Sequence, residues 1–208
     1  MPDWSTPDRC AICRLPQPLC VCVIAPRLSV RTNLTLVIHT KEWKRSSNTG
    51  RFVPLAVEGA RIAFHGLEDH RLTDEDIHPN GPPIVLFPGC GAKPLTHDVV
   101  ASLPKSTTLV VPDGNWNQAN HMMRRLPTFI KAPVYQLPGP EPGLRRMRRN
   151  IFEDRMSTFE AVVQALALFE GPEIEDPLLD FFRTAVDRML MLRGKIKAQE
   201  VFGGLPGS

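Results

Sequence analysis

The sequence predicts an α/β fold in which a mostly parallel sheet carries helices on both faces. Three features of the 208-residue chain lead there. Its strand candidates are near-continuous apolar runs, as expected of strands buried on both faces rather than one. Segments of helical periodicity lie among them. The two most apolar later runs also end in Pro-Gly or Pro-Asp-Gly, which stops a strand and opens a loop.

The first strand is Leu34-Thr35-Leu36-Val37-Ile38-His39, and Arg61 to Phe64 predicts a shorter one. Ile84-Val85-Leu86-Phe87 is next, ended by Pro88-Gly89, and Leu109-Val110-Val111 follows, ended by Pro112-Asp113-Gly114. Val134 to Leu137 supplies a last strand candidate. Asn115 to Leu126 predicts a helix with Trp116, Ala119, Met123 and Leu126 on its inner face. Ser157-Thr158-Phe159-Glu160 has the form of a capping box and opens a helix through Phe169, with Phe159, Val162, Val163, Leu166 and Phe169 inward. A long helix near Pro177 to Lys197 aligns Leu178, Phe182, Ala185, Met189, Leu192 and Ile196, a stripe read as core packing before partner surface.

At 42% apolar and 23% charged residues, the composition is that of a soluble globular chain rather than a disordered or fibrous one. No apolar run approaches the roughly 20 residues that a membrane-spanning helix needs. The N-terminus lacks the apolar centre of a secretory signal, so a cytoplasmic location is expected, with no membrane partner. The net charge of +3 is modest, but its distribution is uneven. Between Arg124 and Arg155 eight basic residues face three acidic ones, a concentration suited to a polyanion or to a solvated loop.

Four of the five cysteines are packed into Cys10-x-x-Cys13 and Cys20-x-Cys22. In a chain of this expected location such clustering indicates metal ligation before disulfides, and four thiolates make a closed structural zinc site. The expected organisation is an N-terminal tail and zinc module over residues 1–30, followed by one α/β domain over 31–208.

In an open parallel sheet, ligands bind beyond the carboxyl ends of the strands. Three segments rich in functional groups fall there: His39-Thr40-Lys41-Glu42, Pro88-Gly89-Cys90-Gly91 and Pro112-Asp113-Gly114-Asn115-Trp116. Each also has a plain structural use. Asp113-Gly114 is a common turn pair, Asn115 with Gln118 can cap a helix, Trp116 can anchor a core and His39 can close a strand. The chain has no dinucleotide fingerprint, P-loop, nucleophile elbow or His-Glu-x-x-His zinc motif.

In these elements the chain resembles the DTW-domain family, which includes tRNA-uridine aminocarboxypropyltransferases. The resemblance runs from about Cys10 to about Phe169. It takes in the four cysteines, His39 with Glu42, Asn48-Thr49-Gly50, Leu86-Phe87-Pro88-Gly89, Asp113-Gly114-Asn115-Trp116, Arg148 and Ser157-Thr158-Phe159-Glu160-Ala161. Asn115 stands where the family signature has threonine, and keeps a polar side chain able to cap a helix. The family looks related to the knotted SPOUT methyltransferases, so the resemblance implies a knotted fold and S-adenosylmethionine as co-substrate. It implies transfer of the 3-amino-3-carboxypropyl group to N3 of a tRNA uridine.

On this reading Asp113 and Trp116 are catalytic. Phe87, Pro88, Gly89, Asp113, Gly114, Asn115, Arg148, Ser157, Thr158 and Glu160 hold the cofactor. His39, Glu42, Thr49, Gly50, Arg145, Arg146 and Arg149 meet the RNA, and no obligatory protein partner is expected. The competing expectations are an RNA methyltransferase with the same cofactor and a non-catalytic zinc-bearing RNA-binding module.

Overall fold

The computed structural model describes residues 8–89, 91–138 and 156–205. In chain order, β1 (Asn33–His39) is followed by α1 (Thr40–Trp43), α2 (Val53–Ala56), β2 (Arg61–His65) and α3 (Asp74–Ile77). Then come β3 (Pro83–Leu86), β4 (Lys93–Pro94), α4 (His97–Ser102), β5 (Thr108–Asp113) and α5 (Trp116–Arg125). The series closes with α6 (Pro127–Lys131), β6 (Val134–Gln136), α7 (Thr158–Glu170) and α8 (Glu175–Leu192).

The strands form one six-stranded sheet in the order β2-β1-β5-β3-β6-β4, and every pairing is parallel. All carboxyl ends therefore lie along one edge. The fold class read from the sequence holds, and so do the predicted strands. β4 was not anticipated: two residues carry too little periodicity to register.

Alternate residues of the central strands serve opposite faces, as the pleat requires. Leu36 and Ile38 of β1 and Leu109 and Val111 of β5 join one cluster with Phe159 and Leu166 of α7 and Leu178 and Phe182 of α8. Val37, Val85 and Val110 join the other, with Met122 of α5, Phe129 of α6 and Ile77 of α3. Helices therefore cover both faces.

Three details differ from expectation. β5 runs on through Pro112 to Asp113, paired there with Val37 and Ile38 of β1. Its pairing with β3 ends at Val110, so the proline, which has no N–H to donate, falls where one side of the strand is already unpartnered. On α5 the buried residues are Ala119 and Met122 rather than Met123, and Trp116 is 46% exposed instead of inward. The long helix ends at Leu192, short of Lys197. Gly194 takes φ +64 and, with Gly194 N donating to Met191 O and Lys195 N to Leu190 O, closes it as a Schellman motif. Leu192 is consequently exposed, while Leu178, Phe182, Ala185 and Met189 pack in the core.

The cysteine-bearing segment packs into the same core, through Cys13, Leu15 and Val21. Arg188 of α8, only 3% exposed, holds it there by donating to Leu19 O at 3.3 Å and Cys20 O at 2.8 Å. Among the described residues no helix is long and apolar enough to cross a membrane.

Candidate active site

Asp113 ends β5 in the middle of the carboxyl edge and is 5% exposed. Asn48 Nδ2 donates to its Oδ2 at 2.5 Å, and Thr158 Oγ1 donates to its Oδ1 at 2.7 Å. One carboxylate thus ties together a strand end, the loop after α1 and the first turn of α7. Burial raises its pKa above the ordinary carboxylate range. The bonds from Thr158 and Asn48 oppose that rise, nearby Glu42 adds to it and Arg51 opposes it.

The loop presenting Asn48 is built around the buried Arg51. Its guanidinium donates to Asn48 O at 3.1 Å, to Trp43 O at 2.8 Å and to Arg45 O. Its backbone N–H donates to Asn48 Oδ1 at 3.1 Å, which orients the Asn48 amide toward Asp113. Burial lowers the guanidinium pKa to about 10. Gly50 is dictated by this arrangement. A β-carbon there would overlap Asp113 Oδ2 and lie 3.1 Å from Asp113 Cγ and 3.2 Å from Leu36 Cδ2. Glu42 is buried, with Oε2 3.3 Å from Arg45 Nε.

Asn115 caps α5: its Oδ1 accepts from Gln118 N at 2.9 Å, and Gln118 Oε1 accepts from Asn115 N at 2.7 Å. The structural use foreseen for this pair is the one observed, and it is served without a hydroxyl. Gly114 is needed for it, since a β-carbon would come within 2.9 Å of Gln118 Cβ. Trp116, the next residue, stacks on Phe87 at the end of β3 with centroids 5.3 Å apart and planes at 23°. Ser157 and Glu160 form the expected capping box, which sets Thr158 in the first turn facing Asp113.

The structure therefore brings together Glu42, Thr49, Gly50 and Asp113 with Thr158, and stacks Phe87 on Trp116. Pro88 and Gly89 follow Phe87 on the exposed rim. Ser157, Glu160 and Asn115 act as caps. Arg145, Arg146, Arg148 and Arg149, with Cys90, lie outside the described residues. Sequence reasoning missed the roles of Asn48 and Arg51. Asn48 sat within a recognised motif, but only the fold shows its amide meeting Asp113. His65 was also missed; it pairs in register with His39 across β1 and β2.

The four cysteines are free, and their sulfurs all lie within 4.8 Å of one another, a set able to hold a metal ion. Cys10 Sγ is 3.6 Å from Cys22 Sγ, and Cys13 Sγ is 3.7 Å from Cys20 Sγ. These separations match the edge of a tetrahedral zinc–thiolate centre, about 3.8 Å for bonds near 2.3 Å. Burial pushes the Cys13 thiol up to about 11 and the Cys22 thiol higher still, with neighbouring thiolates adding to both shifts. A bound cation would relieve that repulsion.

Two curated relatives, both named tRNA-uridine aminocarboxypropyltransferase 2, from Mus musculus and Macaca fascicularis, are each 24% identical to this chain over 170 residues. The alignments cover 77% of this chain and 56% of each relative, so the chain spans about half the length of the curated relatives it matches. No solved structure matches it. The DTW domain model matches residues 7–190, nearly the whole described fold, and the chain belongs to the DTW domain family.

Proposed function

We propose that this protein transfers the 3-amino-3-carboxypropyl group of S-adenosylmethionine to N3 of a uridine in tRNA, in the cytoplasm, with methylthioadenosine as by-product. The observation that carries the reading is the buried Asp113 carboxylate at the carboxyl edge, three residues before the exposed Trp116 that stacks on buried Phe87, in a DTW-family chain. The names of its relatives supply the reaction class. The knotted fold suggested by the family resemblance, and the division into a zinc module over residues 1–30 and a catalytic domain, belong to the same reading.

The residues present suit these substrates. An exposed indole backed by a second aromatic ring offers a platform for a nucleobase or adenine ring, where stacking contributes on the order of 1–3 kcal/mol. Bound S-adenosylmethionine supplies an electrophilic carbon attached to a cationic sulfur. Phe87, Pro88, Gly89 and Gly114 would border it, and Arg148 is the candidate partner for its carboxylate. His39, Glu42, Thr49 and Gly50 remain the candidates on the RNA side, with Arg145, Arg146 and Arg149.

Uridine N3 must lose a proton before it can attack. Asp113 is the candidate acceptor, because burial lifts its pKa toward the range where a carboxylate is an effective base near neutral pH. Among the described residues each oxygen accepts one hydrogen bond, which leaves a second lone pair. As N3 bonds to the propyl carbon, the carbon–sulfur bond breaks and its electron pair stays with sulfur. The opposite charges of nucleophile and sulfonium cancel in that step, so a site walled by Trp116 and Phe87 favours it over water.

A second reading of Asp113 rests on its burial and its two protein donors: it can act as a positioning residue that locks the Asn48 loop to α7. The cysteine set is assigned to one structural zinc ion, as its donor chemistry and sulfur spacing suit that metal. The function is tested by incubating the protein with tRNA and S-adenosylmethionine and analysing the nucleosides by mass spectrometry. An aminocarboxypropyl adduct with methylthioadenosine is expected. A methyl adduct with S-adenosylhomocysteine would assign a methyltransferase instead.

A further inference from the structure

A second group of side chains gathers at the carboxyl edge, on the sheet face opposite Asp113. His39 and His65 are register partners at the ends of β1 and β2, so their side chains stand side by side, with ring centroids 5.5 Å apart. They share the pleat parity of Val37 and Ala63, which pack on the α5 side. His121 of α5 completes the group, its ring 6.3 Å from that of His65.

The hydrogen bonding sets what these rings offer. His39 Nδ1 accepts from Lys41 N at 3.1 Å, which leaves Nε2 to carry the proton and act as a donor. Ligating a metal through Nε2 would break that bond. The three histidines do not form a set able to hold a metal among the described residues, where the cysteines alone do. His65 Nδ1 is buried and has no hydrogen-bond partner among the described residues. Burial lowers the pKa of both His39 and His65. Lys41 and His121 add to the effect on His39, and His39 and His121 add to it on His65; no carboxylate among the described residues contributes. Exposed Arg124 and Arg125 stand three and four residues beyond His121, on the same side of α5. Donors and positive charge converge here without an acid.

We propose that His39, His65 and His121, with Lys41, form a phosphate-recognition site for the RNA backbone that takes up a proton when it is occupied. The proposal rests on the RNA-modifying function given above. His121 stands five residues along α5 from Trp116, about 7.5 Å of helix rise. The two side chains point about 140° apart around the helix, Trp116 toward the β3 side and His121 toward β2. An RNA that stacks a base on Trp116 would thus reach the imidazoles with a neighbouring nucleotide's phosphate across the end of β5. In the free protein His39 and His65 are neutral near pH 7. A phosphodiester between the rings favours their charged forms, so binding raises their pKa and tightens as pH falls through the interval between free and bound values.

The test measures binding of an unmodified tRNA transcript to the full chain from pH 8 to pH 6 at fixed salt. The variants are His121→Gln, which is exposed and should leave the fold intact, and His39→Asn, which preserves the cap. In parallel, imidazole NMR signals are followed as inorganic phosphate is added. Wild-type affinity is expected to strengthen by up to about tenfold per pH unit for each proton taken up, and each variant should flatten that dependence. Salt-sensitive binding with no pH dependence, unchanged in both variants, would overturn the proposal while leaving an RNA substrate in place. Saturable shifts with phosphate but no tRNA binding at any pH would overturn the RNA assignment, together with the function on which it rests.

Discussion

Thr158 Oγ1 donates to Asp113 Oδ1 at 2.7 Å, joining the first turn of α7 to the last residue of β5 across 45 positions of sequence. With Asn48 on the other oxygen, the carboxylate is both a buried group at the carboxyl edge and the junction of three segments. Its chemical and structural roles therefore have to be separated experimentally.

Asp113→Asn removes the negative charge and keeps the size. If Asp113 is the base, single-turnover transfer should slow by about 10²–10⁴-fold while tRNA and cofactor binding persist. If it positions the loop, melting temperature and binding should fall together with the rate. The new amide N–H₂ must face Asn48 or Thr158, and the Thr158 hydroxyl can turn to accept from it. Any stability loss should therefore stay near 1–2 kcal/mol.

The raised pKa of Asp113 fixes the direction of two pH effects. The folded state holds a proton that the unfolded chain has released, so stability declines as pH rises from the ordinary carboxylate range through the folded pKa. The transfer rate should rise over that same interval, since the base must be ionised. A pH–rate profile checks this. The lower inflection should vanish in Asp113→Asn, leaving only the rise due to uridine's own ionisation.

Gly50→Ala should destabilise the protein by about 1–3 kcal/mol, the usual range for an extra carbon in a packed site. The collision is with Asp113 Oδ2 and Leu36, so Asp113→Ala in the same chain should recover part of the loss. Chemical denaturation of the single and double variants would show this as a coupling energy. Strict additivity would mean that the contact does not limit the site.

Trp116→Ala should leave the melting temperature nearly unchanged, because the indole is 46% exposed. It should weaken binding of the stacked ligand by roughly 1–3 kcal/mol, or about 5- to 150-fold. Trp116→Phe should restore much of it. Equilibrium binding of tRNA and of S-adenosylmethionine, measured separately, identifies which ring uses the platform.

Arg188→Met should strip donors from Leu19 O and Cys20 O and leave those carbonyls without them. In zinc-loaded protein, metal transfer to a chelator is expected to accelerate, with a stability loss of about 1–3 kcal/mol for each carbonyl left buried and unsatisfied. Metal-release kinetics followed with a colorimetric chelator check the first effect, and thermal melting the second.

The sequence by itself determined what depends on neighbours along the chain. The Ser157–Glu160 box, the strand runs at β1, β3 and β5, the spacing of the four cysteines and the DTW-family elements were all legible. Each is set by local hydrogen bonding, by pleat and helix periodicity, or by ligand spacing within a short segment. Only the tertiary structure decided which segments meet. It turned Trp116 outward onto Phe87, set Met122 rather than Met123 in the core and made Gly50 a steric necessity of Asp113. It also joined Asn48, Asp113 and Thr158, and paired His39 with His65. Parallel strand order brings the ends of distant segments to one edge, and no periodicity along the chain encodes which ends become neighbours.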